Sequence, residues 1–394
     1  MSTVRRIHPA LALATCVALA ATGCAALNSA ASSSELTTPV KAVPASAHRH
    51  GAGGANTAQV VRAAKAFLAT LSDEQKDTAL YDFDDPAKKT GWSNFPIPVV
   101  VRNGLKMGDL TDVQQAAALK VMEAALSKKG YEELVEIREA DDYLAALPPR
   151  PRPTPTGTPT NVPTNTPTGG PGGPGGGGGG GGASFGSQWY YISFFGQPSR
   201  KGEFMVQFGG HHAAYNITYA GDNVSLSPTL TGVEPEEFDL DGTHLAPLAD
   251  NRATTIAAIQ SLTPDELTAA KINGSFDDLY LGPGHDGPFP TQPEGVLVSD
   301  LTKQQQAKVT AMLRTWVDDL DERAAARLMH KYVSEYDRTY IGWSGGTTID
   351  NDQTYVRIDG PSAWVEFSNQ PGASTDGIHQ HTIFRDETAD YGWE

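Results

Sequence analysis

Polar and apolar positions along this chain alternate between two textures. Stretches with apolar residues three and four apart, most clearly Val113 to Leu126 and Val309 to Leu320, predict helices with one buried face. Stretches rich in Tyr, Phe, Val and Ile, bounded by Gly, Asn and Pro, predict strands. These fall at residues 188–195, 203–208, 211–220 and 223–230, then at 339–343, 353–359, 362–368 and 379–385, with Gly221-Asp222-Asn223 a strong turn.

The predicted helix starts share a signature: Leu, then Ser or Thr, two free residues, then Gln or Glu. It occurs at Leu71-Ser72 to Gln75, Leu110-Thr111 to Gln114, Leu262-Thr263 to Glu266 and Leu301-Thr302 to Gln305. The hydroxyl accepts from the backbone N–H three residues on and the Gln or Glu reaches back, which satisfies two otherwise orphaned donors. A fifth match, Leu230-Thr231 to Glu234, has Gly232 and Pro235 where an apolar run should follow, and is expected to be a turn.

Spacing turns these starts into a ruler. The first two leucines stand 39 residues apart, as do the last two, and Tyr191-Ile192 precedes Tyr340-Ile341 by 149 residues. The expected fold is therefore α+β: a helices-then-antiparallel-strands unit present twice, its halves packed with pseudo-twofold symmetry. Whether the two sheets stay separate or join, hiding an edge of each, is open at this point. From Leu301 to Tyr340 is 39 residues but from Leu110 to Tyr191 is 81, and the excess matches a Pro/Thr-rich then Gly-rich stretch. That stretch, 148–184, reads as a disordered insertion within the first half, because lengthening a flexible loop costs only about 0.6 kcal/mol per doubling. The first half then comprises helices at 56–147 and strands at 185–250, and the second half occupies 251–394.

The N-terminus belongs to neither half. Arg5-Arg6, an apolar run from Leu11 to Ala21 and then Thr22-Gly23-Cys24 have the layout of an export signal. Residues 1–24 are similar to bacterial lipoprotein signals, which implies lipidation at Cys24 and an anchor on the outer face of the cytoplasmic membrane; an ordinary secretory signal is the alternative. Residues 25–55, rich in Ala, Ser, Pro and Gly, read as a disordered tether. Both cysteines, Cys16 and Cys24, fall in the signal, which excludes disulfide and thiolate chemistry from the exported part. A net charge of −16 without a basic cluster argues against nucleic acid as a partner.

Several strings resemble one family. Trp92-Ser93-Asn94-Phe95-Pro96, Arg102-Asn103-Gly104-Leu105, Gly209-Gly210-His211-His212, Glu234-Pro235, Tyr340-Ile341-Gly342-Trp343 and His379-Gln380-His381-Thr382 are similar, in order and spread, to the bacterial and fungal family called domain of unknown function 3500. The resemblance covers most of residues 57–394 and implies an exported protein without an assigned activity.

The histidines hold the candidate chemistry. On a strand, residues two apart share a face, so His379, His381 and Arg385 point one way. Glu366 on the preceding strand can reach the same place, and its counterpart in the first half is Asn216. Adjacent strand residues face opposite sides, so only one of His211 and His212 is expected to join; His212 shares its parity with the polar Asn216 and Thr218. His379, His381, Glu366 and His212 are thus the candidate ligands for Zn²⁺, Fe²⁺ or Mn²⁺. Arg385 is the candidate contact for a small anionic substrate. A metal site of this kind serves a hydrolase or an oxidase. The other reading is a non-catalytic ligand-binding or scaffold lipoprotein whose histidines form a structural hydrogen-bonded cluster. Asp84-Asp85 and Asp277-Asp278 read as turns.

Overall fold

A computed structural model describes residues 55–97, 99–148 and 185–393. The expected export signal with Cys24, nearly all of the expected tether and nearly all of the expected 148–184 insertion lie outside these residues. Among the described residues, no helix is long and apolar enough to cross a membrane.

The first half opens with α1 (Thr57–Leu68), α2 (Asp73–Ala79), the short strand β1 (Leu80–Tyr81) and α3 (Ala87–Thr90). It continues through β2 (Leu105–Lys106), α4 (Asp112–Ala125) and α5 (Lys128–Ala146). Then come β3 (Tyr191–Phe195), β4 (Glu203–Gly209), β5 (Ala213–Ala220), β6 (Asn223–Ser225) and β7 (Thr229–Val233). A small hairpin, β8 (Phe238–Leu240) and β9 (Thr243–Leu245), leads to the second half. There the order is α6 (Ala249–Gln260), α7 (Pro264–Ala269), β10 (Val296–Leu297), α8 (Lys303–Val317) and α9 (Glu322–Ser334). It ends in β11 (Tyr340–Gly345), β12 (Thr354–Asp359), β13 (Ala363–Pro371) and β14 (Ile378–Asp386).

All four expected capping boxes are present, with both hydrogen bonds made in each. Two of them also tie helix to helix. Gln114 Nε2 donates to Thr70 O at 2.9 Å and to Gln75 Oε1 at 2.9 Å, 44 and 39 residues away. Gln305 Nε2 donates to Ser261 O at 3.0 Å and to Glu266 Oε2 at 2.6 Å, across the same two separations. One side chain thereby caps its own helix and locks the capping box of the helix before it. A second recurrence precedes α4 and α8. Gly104 (φ +84°) and Gly295 (φ +121°) let the chain pass over β3 and β11, where an added Cβ would fall 2.1 Å from Ile192 O and 2.4 Å from Ile341 O.

The strands form one sheet in the order β1-β3-β4-β5-β7-β14-β13-β12-β11-β10, with β2 also on β3 and β6 also on β5. β3, β4, β5 and β7 are antiparallel neighbours, as are β11 to β14. The two groups join where β7 pairs antiparallel with β14, placing Gly232 opposite His381 and Leu230 opposite Ile383. The question left open by the sequence is settled as a single sheet. Alternation divides it into two faces. Phe204, Val206, Phe208, Tyr215, Ile217, Val365, Phe367 and Phe384 share a core with the helices, including Phe67, Val121, Ile137 and Leu313. Phe195, Met205, Ala214, Leu230 and Ile383 face the other way, under Trp92, Leu279 and Tyr391 from the loops and the C-terminal tail.

Two strand expectations need correction. Residues 223–230 are not one strand: the chain turns at Leu226-Ser227-Pro228, so β6 folds back on β5 while β7 crosses to β14. Leu230-Thr231 to Glu234 is not a turn but most of β7. Gly232 survives inside it because the histidine rings on either side occupy the space of a side chain.

The repeated glutamines give the first prediction. Gln114→Ala and Gln305→Ala each remove a capping bond and two cross-links, so each is expected to destabilise by about 1–3 kcal/mol. Urea unfolding should show similar losses at the two positions; a loss confined to one would mean that the matched geometry is not matched in energy.

Candidate functional site

Four histidines converge at one end of the β7–β14 seam. His211 and His212 sit in the turn between β4 and β5, closed by Gly210 N donating to Ala213 O at 2.8 Å. Gly210 lies flat on the ring of Tyr190, where a Cβ would approach to 2.5 Å. His379 and His381 share one face of β14. The ring centroids lie 3.6 Å apart for His211 and His212, 4.3 Å for His379 and His381, and 5.1 Å for His212 and His379. Nitrogen atoms of His211, His212 and His379 lie within 4.8 Å of one another, a spacing that one metal ion can span.

Each imidazole turns Nδ1 toward a carboxylate. Asp141 of α5 meets His212 Nδ1 at 2.9 Å and His211 Nδ1 at 3.1 Å through Oδ1, while its Oδ2 accepts from the Tyr190 hydroxyl at 2.8 Å. Asp278 meets His381 Nδ1 at 2.8 Å and is itself held by Leu279 N and Gln370 Nε2. Glu234, at the end of β7, lies 3.7 Å from His379 Nδ1, and its other oxygen accepts from Ser374 N and Thr375 N. The Nε2 atoms of His212 and His379 are 3.0 Å apart, and His381 Nε2 is buried without a partner. Carboxylate-bound Nδ1 with Nε2 turned inward is the arrangement that orients metal-binding histidines. Two nitrogens on a tetrahedral ion, at about 2.0–2.1 Å each, would stand roughly 3.3 Å apart.

Gly232 makes this packing possible. Its N donates to His212 O at 2.6 Å, and a Cβ there would fall 2.8 Å from His381 Cδ2 and 3.1 Å from His212 Cδ2. The site is also largely buried. His212 is fully buried, and burial, then the neighbouring His211, hold its pKa down to about 4 against the pull of Asp141. Burial and the other three rings hold His379 well below the ordinary value. Burial would raise Asp141, but the charge and hydrogen bonds of His212 and His211 outweigh it and keep the carboxyl below the usual range. Around neutral pH, His212 is therefore a neutral imidazole beside an anion.

The expected ligand set changes in two ways. His211 and His212 both enter the site, because they belong to a turn rather than a strand and the alternation rule does not apply. Glu366 does not: Oε1 accepts from Leu281 N and Trp364 Nε1, and Oε2 from Tyr280 N and the Tyr355 hydroxyl. It anchors the loop over the sheet. Arg385 is not a free anion contact either. Only 1% exposed, it binds Asp390 through Nε and Nη2, Asp286 through Nη2 and Leu281 O through Nη1.

Sequence reasoning missed His211, Asp141, Glu234 and Asp278. Asp278 was read as a turn residue, and it does lie in a loop, but its carboxylate orients His381. A signal existed for Asp141, which shares a buried helical stripe with Leu134, Ile137 and Leu144, where a carboxylate needs a partner.

An α+β protein with a largely buried cluster of histidines, each facing a carboxylate, is the class that fold and site define. The model of the family described as protein of unknown function (DUF3500) matches residues 53–393, and the chain belongs to that family. Neither curated proteins nor solved structures yield a match.

Two predictions follow from the geometry. His212 takes up a proton less readily folded than unfolded, so its contribution is complete above its ordinary value of 6.5 and is lost as pH falls toward 4. Chelator-treated protein is expected to lose roughly 3 kcal/mol over that window through His212 in urea titrations, and His212→Gln should reduce the dependence to the part that His379 contributes. Gly232→Ala pushes a methyl between two rings and is expected to cost about 1–3 kcal/mol in the same assay.

Proposed function

We propose that His211, His212, His379 and His381 hold one transition-metal ion, and that this centre is the functional site of an exported protein. The observation that supports it most is the approach of His212 Nε2 to His379 Nε2 at 3.0 Å beside the buried, unpartnered Nε2 of His381. Neutral nitrogen ligands without thiolate suit Zn²⁺, Fe²⁺ or Mn²⁺. The protein's part is to hold the ion at a largely buried position and to fix the rings through Asp141, Glu234 and Asp278. An ion so held can activate water for hydrolysis or serve an oxidation, and a small anionic ligand would bind the metal directly, since Arg385 is already paired.

One observation favours a second reading. The His212–His379 contact is also the length of an imidazole–imidazole hydrogen bond, as in a non-catalytic scaffold. Metal analysis of purified protein after expression in supplemented medium separates the two. About one equivalent of a transition metal, falling at least tenfold in His379→Ala, supports the centre. Metal below about a tenth of an equivalent, with no thermal shift on adding Zn²⁺, Fe²⁺ or Mn²⁺, means a hydrogen-bonded cluster.

We further infer that the two halves are copies of one unit related by a pseudo-twofold axis at the β7–β14 seam. The matching Gln114 and Gln305 networks and the matching glycines at 104 and 295 support this. Export and anchoring through lipidated Cys24 are supported by the pattern of residues 1–24 and by the lack of cysteine in the rest of the chain. Mass spectrometry of the mature N-terminus tests both.

A further inference from the structure

A second set of buried oxygens, unused by the histidine site, gathers where α5, α6 and the end of α8 meet. Asp319, just past α8, packs on the first turn of α5: its O accepts from Ser127 N at 2.7 Å, and a Cβ on Gly130 would lie 2.9 Å from Asp319 Cβ. Glu133, three residues beyond Gly130, faces the same side. Both acids are buried, at 1% exposure for Asp319 and 5% for Glu133.

Helix α6 closes the other side. The Gln305–Ser261 bond ties the start of α8 to the end of α6, so the two run antiparallel and the first turn of α6 reaches the end of α8. Lys129 of α5 pairs with Asp250 of α6 at 3.2 Å, on the outer side of this junction. Next to Asp250, Asn251 is fully buried with neither amide atom partnered, and one turn on Thr255 is fully buried with its hydroxyl unpartnered. From the sheet, Tyr215 brings a hydroxyl with no partner, and Asp319 Oδ1 has none. The corresponding positions of α1, 191 residues earlier, are the apolar Val60 and Ala64, so nothing in helix packing calls for Asn and Thr here.

We propose that Glu133, Asp319, Asn251 Oδ1, Thr255 and Tyr215 form a site for a hard, oxygen-liganded cation, with Ca²⁺ as its probe. Oxygen donors alone, two of them carboxylates, match the preference of such ions, and imidazole is absent. Without a cation the arrangement is costly. Burial, then Asp319, raise Glu133 well above the ordinary carboxylate value, with Lys129 opposing and Asp250 and Glu136 adding to it. Burial raises Asp319 to about 7, with Lys129 opposing and Asp318 adding. Burial raises Tyr215 as well, followed by Asp319 and Glu133, which places its hydroxyl within the field of both acids. A bound cation removes the repulsion and gives the orphaned oxygens a partner.

The test is thermal unfolding and equilibrium dialysis of chelator-stripped full-length protein with CaCl₂, MgCl₂ or NaCl. Calcium is expected to bind and to raise Tm, in wild type and in His379→Ala alike, and the shift should vanish in Glu133→Gln and Asp319→Asn. A surface control, Asp352→Asn, should keep it. A response to Mg²⁺ or Na⁺ alone, lost in the same two variants, supports the site and changes the ion. The proposal is overturned if dialysis of wild type shows no bound cation, or if the shift persists in both variants. It is also overturned if wild-type Tm merely falls as pH rises through about 7 whatever the cation, which is the behaviour of a proton-sharing acid pair.

Discussion

The antiparallel pairing of β7 with β14 connects the two half-sheets, and the histidine site hangs on its register. Five residue pairs define it, from Gln380 opposite Val233 to Phe384 opposite Thr229. Sliding β14 by one residue would turn His379 and His381 toward the helices and bring Gln380 and Thr382 to the other side. The register is held from both faces. Thr231 and Thr382 share a 2.7 Å hydroxyl contact that also receives the Trp316 indole, while Leu230 and Ile383 pack under the loops. Chemistry and architecture thus depend on the same ten residues.

Electrostatics completes what the register begins. Three carboxylates around four rings would be an expensive neighbourhood if the rings were left to tumble, because each buried polar atom must find a partner. Here every Nδ1 is directed at an acid, which fixes the tilt of each ring, although the ring planes differ from one another by 33° to 73°. The acids come from three separate elements: α5, the end of β7 and the loop before β10. The centre therefore assembles only when the helices, the seam and the overlying loop are all in place.

Local signals in the sequence carried far. The capping boxes, their equal spacing and the two strand groups were legible because each depends on residues within one turn or one hairpin. His379 and His381 were legible because alternation holds along β14, whereas His212 was chosen on a strand parity that its turn does not obey. What could not be read required knowledge of where the chain leaves a strand. His211 was set aside on strand parity, yet it lies in a turn, and Glu234 was hidden in a segment resembling a helix cap. Glu366 and Arg385 were placed on the correct face of the sheet but not with their partners, since Tyr280, Leu281 and Asp286 arrive from a loop about a hundred residues away in sequence. Long-range partners decide whether a buried charge is structural or free, and no local pattern encodes them.

The outer margins of the sheet carry one more consequence. β1, β2 and β10 are two residues long each and lie along β3 and β11, so the described sheet ends in stubs instead of full-length ladders. A stub offers too few amides to recruit a strand from another molecule. Two copies meeting at this margin would thus touch through side chains and not through a shared backbone ladder.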